Sequence, residues 1–149
     1  MNFETYWKQL VDRVYDRHEV LSGKEELFYR WSCIYGETMV DGIEAYFDRR
    51  FDQFDADMDS LRAAGFSDVT SKYQQARKLM FGDKPLKRDL VEDTVEKLLT
   101  DESNDVQRTL TKLDKIYRQL IPRLEELADH KYEFGLRERL YSESLPAAR

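Results

Sequence analysis

Residues 21–66 read LSGKEELFYRWSCIYGETMVDGIEAYFDRRFDQFDADMDSLRAAGF, and their apolar spacing decides the fold. From residue 43 to residue 61, apolar side chains recur at steps of four or three positions. At about 100° per residue, this spacing gathers them within an arc of about 80° on a helix. The pattern predicts one continuous amphipathic helix over 43–63, which follows a turn at 41–42 and ends at Gly65 in the left-handed conformation.

Acidic residues follow the same spacing on the neighbouring arc of this predicted helix. Between Glu37 and Asp59 there are eight carboxylates and two arginines, a local net charge of −6 that equals the formal charge of the whole chain. A concentrated negative field can select a basic partner. We name the candidate partner-binding residues the acidic stripe: Glu44, Asp48, Asp52, Asp55 and Asp59.

A second acidic set lies on the helix predicted over 86–99. Its acids occupy the side away from the apolar residues of that helix, and further acids follow in the next connection. We name this set the second acidic patch: Asp89, Glu92, Asp93, Glu96, Asp101, Glu102 and Asp105.

Helical spacing also covers the rest of the chain. Ser22 and Glu25 fit a capping box at the start of one helix. The longest pattern, over 106–127, favours an internal core helix over a dimerising coiled coil, with a kink or break expected at Pro122. We predict an all-α fold, a single compact globular domain of about six to seven helices over 1–140, with 141–149 as a frayed tail.

Composition narrows the class of protein. A pI near 5.1 argues against general nucleic-acid binding, which needs a basic surface. The single cysteine cannot form a disulfide within the chain, which is typical of a reducing compartment. We find neither a signal-peptide pattern nor an apolar run near the ~18 residues of a membrane span. We expect a cytoplasmic protein without membrane contact.

The sequence offers little for catalysis, and we expect no enzyme, cofactor or metal. His18 and His130 are the only histidines, each near a predicted helix end, and Cys33 has no nucleophile motif around it. The run Asp55-x-Asp57-x-Asp59 resembles the start of a calcium loop, but Ser60 stands where that loop needs glycine, and Phe66 stands where it needs glutamate.

Several short motifs together resemble the bacterial DNA-mimic protein family, a mostly uncharacterised all-helical domain. They run over about residues 20–130, in the order Leu21-Ser22, Glu25, Tyr29, Trp31, Gly36-Glu37, Asp41-Gly42, Tyr46-Phe47, Leu61, Ala64-Gly65, Ala76, Phe81-Gly82, Leu113-Asp114, Tyr117, Leu124, Leu127 and His130. Asp41-Gly42-Ile43 replaces the family's usual Asn-Gly-Gly-Phe. The family commonly breaks the chain after Tyr46-Phe47 with a short loop, whereas the periodicity here continues, so residues 48–53 are left open between loop and helix.

This resemblance implies acidic side chains that act as a surrogate for DNA phosphates, a homodimer, and a transcription repressor as the kind of partner. Together with the charge pattern, it leads us to expect a non-enzymatic protein that binds a basic, DNA-binding protein and does not bind nucleic acid directly. One alternative is an immunity or counter-defence protein that neutralises a nuclease or toxin. Another is an enzyme or small-ligand protein that uses the aromatic cluster Phe28, Trp31, Tyr35, Tyr46 and Phe47.

Overall fold

The computed structural model describes residues 1–143, and every regular secondary-structure element in that range is a helix. The all-α prediction is confirmed, with seven α-helices and one 3₁₀ turn in the described residues. The helices are α1 Phe3–Tyr15, α2 Gly23–Asp41, α3 Ile43–Arg50, α4 Phe54–Ala63, α5 Ser67–Phe81, α6 Arg88–Thr100 and α7 Asn104–Arg137, and the 3₁₀ turn η1 Phe51–Gln53 joins α3 to α4. Within the same range, every helix is too short or too polar to cross a lipid bilayer.

Helices α2 and α7 form the centre of the fold. α2 packs against α3, α4 and α7, while α7 also packs against α5. α6 lies beside α3, α5 and α7. The large side chains buried between these helices include Trp31, Tyr46, Tyr73 and Leu120. The long apolar pattern of α7 therefore faces this core, as expected of an internal helix.

The predicted helix over 43–63 is wrong in its middle. Arg50 has φ −129° and ψ 18°, outside the helical region, and the chain turns through η1 before α4 begins. The apolar periodicity continues through the break because a 3₁₀ turn has about 3.0 residues per turn, close to the ~3.6 of an α-helix. The two predicted boundaries hold, since Gly42 and Gly65 adopt positive φ at +94° and +82°.

The predicted capping box at Ser22 is wrong, and the chain shows no break at Pro122. Ser22 precedes α2 without a side-chain capping bond, and Glu25 accepts hydrogen bonds from Arg13 and Tyr6 at 2.7 Å each instead of reaching back to the Ser22 amide. α7 continues unbroken through Pro122, which lacks a backbone N–H. Burial of its neighbours Leu120 and Leu124 offsets the roughly 3 kcal/mol cost of an interior proline.

The predicted tail begins too early. Tyr141 is buried against Tyr6 and Phe28, and the Ser142 amide donates to the Met1 carbonyl at 2.8 Å. These contacts tie the end of the described chain to α1 and α2, so residue 141 belongs to the folded domain. The remainder of the predicted tail, 144–149, lies outside the described residues.

Candidate functional site

The acidic stripe follows a bent path because η1 separates α3 from α4. Asp52, Asp55 and Asp59 are exposed, whereas Glu44 and Asp48 are half-buried. The five carboxylates therefore do not form one straight row, as a continuous helix would have required.

Arginines accompany three acids of the stripe. Asp48 lies 3.6 Å from Arg88 and Asp59 lies 2.9 Å from Arg62, measured between carboxylate oxygen and guanidinium nitrogen. Asp55, 96% exposed, lies 3.9 Å from Arg77. Exposed pairs of this kind contribute about 0–1 kcal/mol to stability. They also offset part of the negative field, whereas Glu44 and Asp52 form no ion pair within residues 1–143.

Asp57, an acid of the same segment, has no exposed surface. Its two oxygens accept hydrogen bonds from Nε and Nη2 of Arg50 at 2.8 Å each, and Tyr46 donates to Oδ2 at 2.8 Å. Arg30 adds a longer bond to Oδ1 at 3.1 Å. The break at Arg50 places its guanidinium against Asp57, seven residues later. This buried network joins α2, α3 and α4.

At neutral pH, Arg50 of this network is positively charged and Tyr46 is neutral. Burial opposes the positive charge of Arg50, but the hydrogen bonds and charge of Asp57 outweigh it, so the pKa of Arg50 is raised. Burial and the adjacent Asp57 carboxylate raise the pKa of Tyr46 well above its ordinary value. Tyr46 therefore remains a neutral donor, and the network holds three helices together.

The second acidic patch is well exposed on α6. Asp89, Glu92, Asp93 and Glu96 all face solvent. Apart from a 3.7 Å contact between Glu92 and Arg88, these four form no ion pair with the part of the chain that the structure describes. They occupy successive turns of one helix at steps of three, one and three residues.

The rest of the patch has local partners. The Asp101 carboxylate accepts a hydrogen bond from the Ser103 amide at 2.8 Å, which lowers the pKa of Asp101. Asp105 pairs with Arg108 on the first turn of α7. Glu102 is exposed in the connection between them. Asp101 and Asp105 thus help to order the start of α7.

Arg88 brings the two predicted acidic sets together. It stands at the first residue of α6, donates to the Asp48 carbonyl at 3.0 Å and stacks over Phe51, with its guanidinium carbon 4.5 Å from the ring centre. The same guanidinium lies between the carboxylates of Asp48 and Glu92. We name the combined region of α3, η1, the first turn of α4 and α6 the acidic surface.

The aromatic cluster belongs to the core. Phe28, Trp31, Tyr46 and Phe47 are each no more than 2% exposed. Half-buried Tyr35 packs against the main core of Trp31, Tyr46 and Phe47, whereas Phe28 lies in a second buried cluster with Tyr6 and Tyr141. The Trp31 indole donates to the Ser60 carbonyl at 3.0 Å, so its one polar atom is satisfied inside the protein. The aromatic residues therefore account for packing between helices.

The histidines and the cysteine lie in different surroundings. His130 is within α7, away from the helix end that the sequence suggested, and its ring packs 5.0 Å from Trp31 and 5.7 Å from Phe66. Burial lowers the pKa of His130 and raises the pKa of Cys33. Both shifts favour the neutral side chain. For Cys33 this means a protonated thiol, which is a much weaker nucleophile than a thiolate.

The three acids of the calcium-like run diverge because they lie on a helix. Asp55 and Asp59 point to solvent from α4, while Asp57 points into the core. Within residues 1–143, no three histidine, cysteine or carboxylate side chains converge as a metal site requires.

Comparison of the chain with protein-family models, with curated proteins and with solved structures finds no match in any of the three. The resemblance to the DNA-mimic family therefore rests on the residues that carry it.

Proposed function

We propose that this protein is a non-enzymatic binding protein whose acidic surface contacts the basic surface of another protein. The observation that carries the proposal is the position of Arg88 between Asp48 and Glu92. Since these acids belong to two sequence segments about forty residues apart, their proximity turns two modest acidic sets into one larger surface.

The spacing of the acids on α6 supports a partner with regularly placed basic groups. Successive turns place Asp89, Glu92 and Glu96 about 4.5 and 6 Å apart along the helix axis. Such a row is near enough to the phosphate spacing of a nucleic-acid strand to engage lysines and arginines that bind DNA. The sharpest form of the proposal is DNA mimicry, in which this surface occupies the DNA-binding face of a protein such as a repressor. A nuclease or toxin as the partner would involve the same electrostatics.

The test is affinity capture from an extract of the source cell, followed by identification of the bound proteins. Two double reversals probe the two parts of the surface: Asp52→Lys with Asp55→Lys, and Asp89→Lys with Asp93→Lys. We expect each to weaken capture at least tenfold, which corresponds to about 1.4 kcal/mol. Capture should also weaken with added salt, because screening shortens to ~8 Å at physiological ionic strength, and DNA with the partner's site should compete.

The matched control is Glu125→Lys with Asp129→Lys. These two exposed acids of α7 form no ion pair within residues 1–143, and their reversal changes the net charge by the same amount. Capture by the control should match the unmodified protein. Three outcomes would show that the acids are only a solvated surface. They are capture that does not change with salt, capture that neither double reversal weakens, and captured proteins that include no basic protein.

A further inference from the structure

A groove between α5 and α7 has the opposite charge to the acidic surface. The two helices run antiparallel, since Asp68 at the start of α5 pairs with Arg123 at 2.8 Å while the end of α5 lies beside the earlier turns of α7. The groove has a volume of about 530 Å³. Its walls and floor are formed by Lys72, Lys78, Lys112, Lys115, Leu79 and Ile116, and we name it the lysine groove.

Four ammonium groups without counter-charges line this groove. Its two other lining residues are glutamines, so no carboxylate contributes to it. None of the four lysines forms an ion pair within residues 1–143, although the chain as a whole carries a formal charge of −6. Four like charges around one cleft repel each other, and an anionic ligand would relieve that repulsion.

The shape of the groove matches a helix. On α5, Lys72, Gln75 and Leu79 lie at steps of three and four residues, and on α7, Lys112, Ile116 and Gln119 lie at steps of four and three. Each wall is therefore about 10.5 Å long, or two helical turns. Two neighbouring helices with such rows offer a groove in which the ridge of a third helix can pack.

The chemistry of the lining distinguishes among anions. The floor is aliphatic and the described lining contains no aromatic ring, so it lacks the stacking surface on which single-stranded nucleic-acid bases bind. Lysine is a flexible point charge and lacks the planar fork with which arginine grips phosphate. Aliphatic contacts at the centre and flexible cations at the rim suit leucine and glutamate side chains on one face of a helix.

We propose that the lysine groove binds an acidic amphipathic helix of another protein. Leucines of that helix contact Leu79 and Ile116, and its carboxylates pair with the lysines on both walls. The groove lies on α5 and α7, outside the acidic surface, so this inference does not depend on the proposed function. A protein with both surfaces would be able to contact a basic and an acidic partner at once.

The test uses a fluorescein-labelled synthetic peptide of leucine, glutamate and alanine, with leucines at i, i+3 and i+7. It is about 18 residues long, because isolated helices shorter than ~12–15 residues are marginal. Fluorescence anisotropy should show saturable one-to-one binding. Lys112→Glu with Lys115→Glu should weaken it at least tenfold, and Leu79→Gln should weaken it without a change of charge.

The control variant, Lys8→Glu with Lys87→Glu, changes the net charge equally at two exposed lysines outside the groove, and it should bind within about twofold of the unmodified protein. Thermal unfolding checks that each variant is folded. Equal binding of a scrambled peptide, stronger binding of a duplex oligonucleotide, or equal loss in the control would overturn the proposal. So would self-association of the unmodified protein that the Lys112 and Lys115 reversal abolishes, since the groove would then bind a second copy.

Discussion

Two aspartates of α4 have the same chemistry and opposite environments. Asp55 is 96% exposed, and Asp57, two residues later, is wholly buried between Arg50, Arg30 and Tyr46. Exposed ion pairs contribute little to stability, whereas removal of one partner from a buried pair leaves an uncompensated charge away from water. The stability of this protein should therefore depend strongly on one aspartate and weakly on the other.

We predict that Asp57→Asn lowers the free energy of unfolding by about 3–5 kcal/mol, because Arg50 then remains buried without a counter-charge. Asp55→Asn is the matched control, and it should cost no more than about 1 kcal/mol, including the loss of its favourable position on the first turn of α4. Urea unfolding monitored by circular dichroism measures both. Equal effects of the two substitutions would contradict the buried network.

His130 makes stability dependent on pH. Burial holds the folded pKa of His130 below its ordinary value near 6.5, so between these two values the unfolded chain binds more protons than the folded chain. Stability should therefore fall as the pH drops through 6.5, and this contribution should level off below the folded pKa.

His130→Phe should reduce the loss of stability between pH 7 and pH 5, since phenylalanine can keep the aromatic contacts with Trp31 and Phe66 and does not titrate. Urea midpoints at several pH values measure the difference. His18→Asn is the comparison variant, because it also removes a histidine but leaves the contacts with Trp31 and Phe66 intact, at an exposed positive-φ position that asparagine tolerates. An unchanged pH profile in His130→Phe would show that His130 does not cause the loss of stability at lower pH.

At the scale of helices, the sequence pattern predicted two helix boundaries correctly but did not predict the 3₁₀ turn that interrupts the helix between them. The predicted turn at 41–42 and the helix end at Gly65 need a positive φ, which glycine adopts freely. The glycine at each position therefore marks it in the sequence. The 3₁₀ turn at 51–53 carries no Gly or Pro. It coincides with the pairing of Arg50 and Asp57, a contact that apolar periodicity does not report.

Two helical glycines should respond oppositely to the same substitution. A methyl group at Gly135 would overlap the Tyr141 ring, whereas nothing lies within 4 Å of the corresponding position at Gly36. We predict that Gly135→Ala destabilises the protein by about 1–3 kcal/mol through displacement of Tyr141. Gly36→Ala should stabilise it by about 0.5–1 kcal/mol, because alanine loses less backbone entropy in a helix.

Thermal unfolding of the two alanine variants provides the measurement. Near-ultraviolet circular dichroism should also change in Gly135→Ala, since Tyr141 packs against Tyr6 and Phe28. Shifts of the same sign in both variants would contradict the close packing of the Tyr141 ring against Gly135.

At the scale of the whole molecule, a net charge of −6 conceals two surfaces of opposite sign. α6 packs against α3, α5 and α7. The acidic surface joins α3 to α6 through Arg88, and the lysine groove lies between α5 and α7. The two proposed interactions can therefore be tested independently by charge reversal on different helices.

The sequence by itself determined the all-α class, the stretches that form helices and most of the apolar side chains that fill the core. These properties depend on spacing within one helix, because apolar residues that recur with a period of about 3.6 can be recognised from the sequence alone. Only the tertiary structure decided that Asp57 turns inward, that Arg88 joins Asp48 to Glu92, and that lysines from α5 and α7 share one groove. The last two arrangements link residues about forty positions apart, and all three depend on how the chain turns and its helices pack. A one-dimensional charge pattern cannot specify such contacts, because the distance between two side chains on different helices is set by the core that lies between those helices.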